Sequence, residues 1–422
     1  MPPEMPRSPW AWIPSLYLLQ ALPYVTVMTL SVVMYKNLGL SNTEIALYTS
    51  WLYLPWVIKP LWSPLVELLG TKRHWIVGLQ FLVGAALAGV ALTLPLESFF
   101  QMSLAVLWLM AFASASHDIA ADGFYLLALQ THEQAAFVGV RSAFYRLANI
   151  AGQGGLVYLA GFLTERWGNA RSAWQVVMAL LAGLFVLVAL YHLWALPKPA
   201  ADRPAPRQQG FWRESLQVFA EFFRKPAIWV IVGFLLLYRF PEAQLLKLAT
   251  PFLLDPTEQG GLGLTTQQVG IAYGTVGLSA LTLGGLLGGW VIARVGLKAA
   301  LWPLILAMHV PNIVFLLMAW AQPQSLWWIS AALAVEQFGY GLGFTAYLMV
   351  MILVSEGPHK TAHYALCTGF MALGMMLPGM WSGWLQDQIG YLWFFAWVLL
   401  ATLPSFAMTA LIQVPAGFGK KA

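Results

Sequence analysis

Apolar runs about as long as a bilayer-crossing helix recur along the whole chain, separated by short polar breaks. They predict twelve transmembrane helices, at 10–35, 44–66, 75–95, 102–129, 136–163, 172–196, 227–254, 267–292, 299–319, 326–354, 362–385 and 391–413. Composition agrees, with 59% of residues hydrophobic and 9% charged, against about 25% charged in an ordinary soluble domain. The 422 residues thus read as an all-α integral membrane protein and not as two or three soluble domains. The first run follows a lone Arg7 and is too long for a signal-peptide core, so Trp10 onward is read as a retained first span.

Lysine and arginine positions predict the orientation. With both termini in the cytoplasm, fifteen Lys and Arg fall inside, among them Arg7, Lys72, Arg73, Arg141, Arg294 and Lys298. Only Lys36, Arg166 and Arg171 fall outside. This is a positive-inside asymmetry, which sets the orientation; the expected location is the cytoplasmic (inner) membrane, as a multi-pass protein. The net charge of +5 then needs no nucleic acid, because the basic residues face the anionic inner leaflet. The single cysteine, Cys367, excludes an internal disulfide and a cysteine metal cluster. It reads as a small buried hydrophobe.

The longest polar segment, 197–226, opens with Pro197, Pro199, Pro204 and Pro206. Its second part sets Trp212, Leu216, Phe219 and Phe223 opposite Arg213, Glu214, Gln217, Glu221 and Arg224, the pattern of a helix lying in the membrane interface. It is read as a linker between an N-terminal six-helix bundle, 1–196, and a C-terminal one, 227–422. The bundles read as copies. Gly70 and Lys72 after the second span match Gly296 and Lys298 after the eighth, and Gly168 matches Gly390. The offsets, 296 − 70 = 226 and 390 − 168 = 222, nearly agree.

Two six-span halves related by an axis along the membrane normal resemble the major facilitator fold. The turns containing Glu67, Gly70, Lys72 and Arg73, and Arg294, Gly296 and Lys298, partly resemble the superfamily's inner-loop motif. That resemblance implies gating, with a topogenic role as the alternative. On the fourth span, Ser116-His117-Asp118-Ile119-Ala120-Ala121-Asp122-Gly123 closely resembles a segment of the AmpG-type muropeptide permeases and the related acetyl-coenzyme A transporters. Tyr145-Arg146-Leu147 and Tyr238-Arg239, with Glu242, resemble the AmpG branch in particular. His117 stands where glutamine is usual, and Phe144 replaces a glycine.

Eight ionisable groups fall inside apolar runs, where a charge costs at least about 2.5–3.5 kcal/mol. Such residues persist where they meet water, a substrate or one another. Asp118 and Asp122 are four apart on one helix face. Two carboxylates so close in a low-dielectric site do not readily both ionise, which suits a proton-carrying site. Arg146 is expected at the depth of Asp118 and could pair with it, or simply neutralise both aspartates. On the seventh span Arg239, Glu242 and Lys247 flank Pro241, which should kink the helix and free carbonyls for a substrate. Arg239 and Glu242 could instead satisfy each other. Glu336, beside Gln337 on the tenth span, is a second proton-site candidate, and Lys59 should snorkel.

Tyr17, Gln20 and Tyr24 share one face of the first span and, with Tyr238, are candidate substrate contacts. His309 reads as a packing histidine. The resemblance implies that spans 1, 4, 7 and 10 line a cavity and that the protein imports anhydro-muropeptides by proton-coupled alternating access. The alternatives are a relative carrying another anionic solute (acetyl-coenzyme A, a siderophore or a saccharide) or, outside transport, a membrane-embedded transferase. No enzymatic activity, cofactor or metal is expected, and a monomer is.

Overall fold

The computed structural model describes residues 8–420 other than 130, 201, 204–216, 218, 358 and 359. Every regular element among the described residues is helical. Span 1 is Pro9–Asn37, with Pro23 inside it and a wider turn at Thr26–Leu30. Span 2 is Asn42–Trp51 followed by Leu54–Leu68, span 3 Lys72–Thr93 and span 4 Phe99–Ala128. Span 5 joins Thr131–Ile150 to Val157–Trp167 through another wide turn, and span 6 is Ala170–Ala195.

Span 7 is Ile228–Leu254, span 8 Thr266–Val295, span 9 Leu297–Ala321 and span 10 Leu326–Ser355. Spans 11 and 12 share the helical stretch Ala362–Leu411. A straight helix of 50 residues would be about 75 Å long, more than twice a bilayer core. The break at Gly390, with φ of 74°, divides it into two passes. Among the described residues nine helices are long and apolar enough to cross a membrane, this double one included. The passes at 42–68 and 131–167 are interrupted as described. The expected all-helical membrane architecture is what the chain forms.

The internal copies share backbone geometry. Gly70 and Gly296 have φ of 80° and 85°, and Gly168 and Gly390 have 66° and 74°, a region open mainly to glycine. A further pair escaped the sequence reading. Ser41 and Glu44 form a reciprocal capping box at the start of span 2, and Thr265 and Gln268 form the same box at the start of span 8. Gly39 and Gly263 precede them with φ of 88° and 64°. Such boxes satisfy orphan N–H groups at a helix start.

By contacts the chain divides into two compact units, Met1–Ser31 with Ile58–Gln208, and Val32–Val57 with Gln209–Ala422. One division falls in the expected linker, whose predicted interfacial helix lies mostly outside the described residues. The segment Val32–Val57 belongs to the second unit because polar side chains hold it there. Lys36 pairs with Asp255 at 2.5 Å. Asn42 donates to Asp255 (3.2 Å), to Gln386 (2.7 Å) and towards the Tyr391 hydroxyl (2.8 Å), while that hydroxyl donates to Asp255 at 2.5 Å.

In the first unit Trp12, Leu16 and Tyr17 pack on Phe124 and Tyr125. A buried polar chain crosses four spans there, from Ser15 to His192 (2.8 Å), His192 to Gln80 (2.9 Å) and Gln80 to His117 (3.1 Å). In the second unit span 10 lies against spans 8 and 9 through glycines. A Cβ built at Gly341 would stand 2.1 Å from the Leu281 carbonyl oxygen, and one at Gly339 would stand 2.0 Å from that of Ala307. Backbone cannot yield like the end of a side chain, so Gly339→Val is expected to cost at least about 3 kcal/mol, the upper end for overpacking. A lowered unfolding midpoint of the purified protein in lipid nanodiscs checks this.

Bulky tryptophans sit near span ends, as an aromatic belt requires. Trp229 begins span 7, Trp327 and Trp328 begin span 10, and Trp320 lies at the end of span 9, all at least 73% exposed.

Candidate functional site

In the second unit the site starts from a break in span 7. Helix Ile228–Leu237 ends at Tyr238, and Phe240–Leu254 begins after Arg239, whose φ of −105° and ψ of 19° are not helical. Pro241 sits in the first turn of the new segment, where its missing N–H costs nothing. The kink is as expected, but the carbonyls near it are not left open for a ligand. The Ser405 hydroxyl lies 2.7 and 2.8 Å from the Leu237 and Tyr238 oxygens, and the Tyr347 hydroxyl donates to Leu235 at 2.6 Å. A buried carbonyl needs a donor, and these hydroxyls supply it.

The break turns Arg239 towards span 10. Its guanidinium donates to the Tyr340 hydroxyl and lies 5.4 and 4.8 Å from the ring centroids of Tyr340 and Phe344. Tyr238 stacks on Tyr347 at 5.1 Å and donates to the Gly343 carbonyl at 3.0 Å. Glu242 has partners of its own on span 9. One of its carboxylate oxygens is 2.7 Å from His309 Nδ1 and 3.4 Å from the Asn312 amide nitrogen. His309, read from sequence as a packing residue, therefore belongs to the site. Nothing in sequence near position 242 points to it, since the partner lies two spans away.

Gln337 donates to Glu336 at 2.9 Å and also reaches Tyr273 of span 8, and Glu336 lies within electrostatic reach of Glu242. Lys247 donates to Thr49 at 2.8 Å and lies 5.2 Å from the centroid of the Tyr53 ring. Arg239, Glu242, Lys247, Glu336 and Gln337 are all 7% exposed or less. Two cations and two carboxylates thus stand buried in one unit on spans 7 and 10, held mainly by hydroxyls, an amide, an imidazole and aromatic faces.

In the first unit Asp118 and Asp122 lie half-buried on span 4. Asp122 pairs with Arg141 there, at 2.8 Å. Arg141 was counted among the inside residues, and the helix Thr131–Ile150 of span 5 carries it. Its guanidinium lies 4.5 Å from the centroid of Tyr17 and 5.5 Å from that of Tyr125. Tyr145 lies within electrostatic reach of Asp118, Asp122, Tyr24 and Arg141. Tyr17, Tyr24 and the two aspartates are therefore brought together, with Arg141 as the cation sequence reading missed. Its signal was four-residue spacing, since Arg141 and Tyr145 share a face. Gln20 is buried on span 1, and its side-chain oxygen has no partner in the protein. Arg146 and Lys59 are half-buried.

The gating candidates divide. Asp202, from the start of the linker, accepts the backbone N–H groups of Lys72 (2.7 Å) and Arg73 (3.0 Å), and the Arg73 side chain reaches the Leu193 and Leu196 carbonyls. In the second copy the Phe418 carbonyl accepts from Leu297, next to Gly296, at 2.8 Å. In each copy, then, the chain that follows the sixth helix returns to the start of the third. Arg294 lies over the Trp290 ring at 4.0 Å, and Lys298 is exposed. The Glu67 side chain lies outside those described. No group of three or more potential metal ligands occurs among the described residues.

A many-pass helical membrane protein whose buried charges collect on a few kinked or closely packed helices is a transporter for a small molecule. It belongs to the Major Facilitator Superfamily, whose family model matches residues 15–360. The chain is 26% identical over 359 residues to the anhydromuropeptide permease of Escherichia coli strain K12, covering 84% of this chain and 69% of that protein. Its fold is similar to that of the nucleoside transporter NupG, with a TM-score of 0.69 at 18% identity over 97% of this chain and 100% of the other. A D-xylose–proton symporter gives 0.68 at 12% identity, over 98% and 99%. Permeases, not enzymes, are what the chain resembles.

Proposed function

We propose that this protein is a proton-coupled symporter that imports anhydro-muropeptides, N-acetylglucosaminyl-anhydro-muramic acid with or without peptide, across the cytoplasmic membrane by alternating access. The observation that carries the reading is the burial of Arg239, Lys247, Glu242 and Glu336 in one unit, each 7% exposed or less. Ionisable groups at membrane depth mark substrate and ion pathways. Arg239 and Lys247 suit the carboxylate of a muramyl group or its peptide, and the aromatic rings of Tyr340, Phe344 and Tyr53 beside them suit sugar faces. Tyr17, Gln20, Tyr24, Tyr238, Arg146 and Gln337 complete the substrate-contacting set.

Asp118, Asp122, Glu242 and Glu336 carry protons, so that loading them changes which side of the membrane the site faces. The turns at Glu67, Gly70, Lys72, Arg73, Arg294, Gly296 and Lys298 act as gating elements on the cytoplasmic side. The excess of basic residues around them supports that orientation, and the protein works as a monomer. The E. coli relative, a permease named for anhydromuropeptides, supports the substrate class.

Proteoliposomes with an acidic exterior test it. Labelled N-acetylglucosaminyl-anhydro-muramic acid is expected to accumulate, and a protonophore to abolish the accumulation. Failure to take up this sugar, with uptake of acyl-coenzyme A or another anion, would replace the substrate; no solute flux at all would remove transport.

A further inference from the structure

The Glu242–His309 contact is more than helix packing requires. His309 closes the first segment of span 9, and a short tight turn, Val310–Asn312, follows it. Pro311 in that turn lacks an N–H, which breaks the helix at this point. Gly343 of span 10 lets the Met308 side chain close in, and Gly339 packs against Ala307 and Pro311. The imidazole is thereby held against span 7. Three buried atoms of the cluster have no hydrogen-bond partner in the protein, namely the second carboxylate oxygen of Glu242, His309 Nε2 and Asn312 Oδ1. All three residues are 1% exposed. Buried polar atoms of this kind are rare, and each needs an explanation such as a catalytic or ion-handling role.

We propose that Glu242, His309 and Asn312 form a proton-exchange site spanning spans 7 and 9, in which His309 is the partner that takes up and passes on the proton. This rests on the proton-coupled reading above and adds to it a residue which that reading leaves to packing. Uptake of one proton converts the carboxylate–imidazole pair from a net charge of −1 to neutral, with the proton held between Nδ1 and the carboxylate oxygen 2.7 Å away. Asn312 donates to the same oxygen and keeps it oriented. Imidazole is the side chain that changes charge most readily near neutral pH.

The groups facing the pair come from three spans. They are Tyr238 on span 7, whose ring centroid is 6.1 Å from that of His309, Glu336 on span 10, and Phe406 on span 12, whose ring centroid is 5.4 Å from that of His309. Neutralising the pair weakens its repulsion of Glu336. That couples proton loading at spans 7 and 9 to the second buried carboxylate, on span 10.

The test uses the full chain in proteoliposomes with labelled N-acetylglucosaminyl-anhydro-muramic acid as probe. Solute counterflow, which needs no proton gradient, is measured beside accumulation driven by an acidic exterior, from about pH 5 to 8. For His309→Gln the ratio of accumulation to counterflow is expected to fall at least tenfold, with loss of the pH dependence of counterflow. Glu242→Gln should do the same, and it serves if the first variant does not fold. A ratio and pH profile like those of the unaltered protein would overturn the proposal, and so would an equal fall in both fluxes, which is what a packing role produces. If the unaltered protein shows counterflow but no proton-driven accumulation, the coupled reading itself fails and takes this site with it.

Discussion

Asp255→Ala is expected to destabilise the second unit by about 3–5 kcal/mol, the cost of removing one partner of a buried ion pair. Asp255 ends span 7 and is 6% exposed. Its carboxylate holds Lys36 at 2.5 Å and accepts from Tyr391 and Asn42. Its loss leaves an ammonium, a phenol and an amide to find other partners in a site largely closed to water. Lys36→Met in the same background is expected to recover part of that loss, because the orphaned charge goes with it. Unfolding of the purified protein in lipid nanodiscs measures both. A change of less than about 1 kcal/mol for Asp255→Ala would mean the pair behaves as a surface salt bridge. Val32–Val57 would then owe its place in the second unit to apolar contacts alone.

Lys247→Met separates transport from structure at the other buried cation. Met has nearly the shape of the lysine stem and no charge. Lys247 is 5% exposed, with a hydrogen bond to Thr49 and the Tyr53 ring beside it. If the ammonium served only the fold, a well-packed apolar replacement would be neutral or stabilising. The expected result is a raised or unchanged unfolding midpoint together with a loss of about 100-fold in transport efficiency for an anionic sugar. That loss corresponds to about 2.7 kcal/mol, in the range for a charged hydrogen bond. Uptake of the anionic sugar at the rate of the unaltered protein would remove Lys247 from the substrate site.

The two experiments address different roles for charge at membrane depth. Asp255 and Lys36 neutralise each other directly, so their partnership is a matter of stability. Lys247 is met by a hydroxyl and a ring face, and Glu336 by an amide. Such neighbours orient a charge without an ion pair, which suits the proposed solute site.

Span number, helical class and the duplicated halves were legible in the linear chain, because apolar length and glycine-marked turns are local properties. Membership of the superfamily followed from the two halves and the turns after spans 2 and 8, and the likeness to the AmpG branch from short motifs on spans 4, 5 and 7. The kink at Pro241 was legible for the same reason, since proline acts on its own turn. The partners of the buried charges were not. Glu242 is 67 residues from His309 in the chain, and Asp255 is 213 from Asn42. Which polar atoms meet across such separations depends on how helices pack, and no local pattern records it. Arg141 shows the same limit from the other side. Counted only as a basic residue on the inside, it stands in the helix of span 5 and pairs there with Asp122.

The sequence by itself determined a twelve-span helical transporter and the set of residues too polar for lipid, because the cost of burying a charge is written in residue type. Only the tertiary structure decided how those charges are satisfied. It closed the carbonyls beside the span 7 kink with Ser405 and Tyr347, drew His309 to Glu242, and joined Val32–Val57 to the second unit. Hydrogen bonds reach about 3 Å, and only packing brings distant parts of the chain that close.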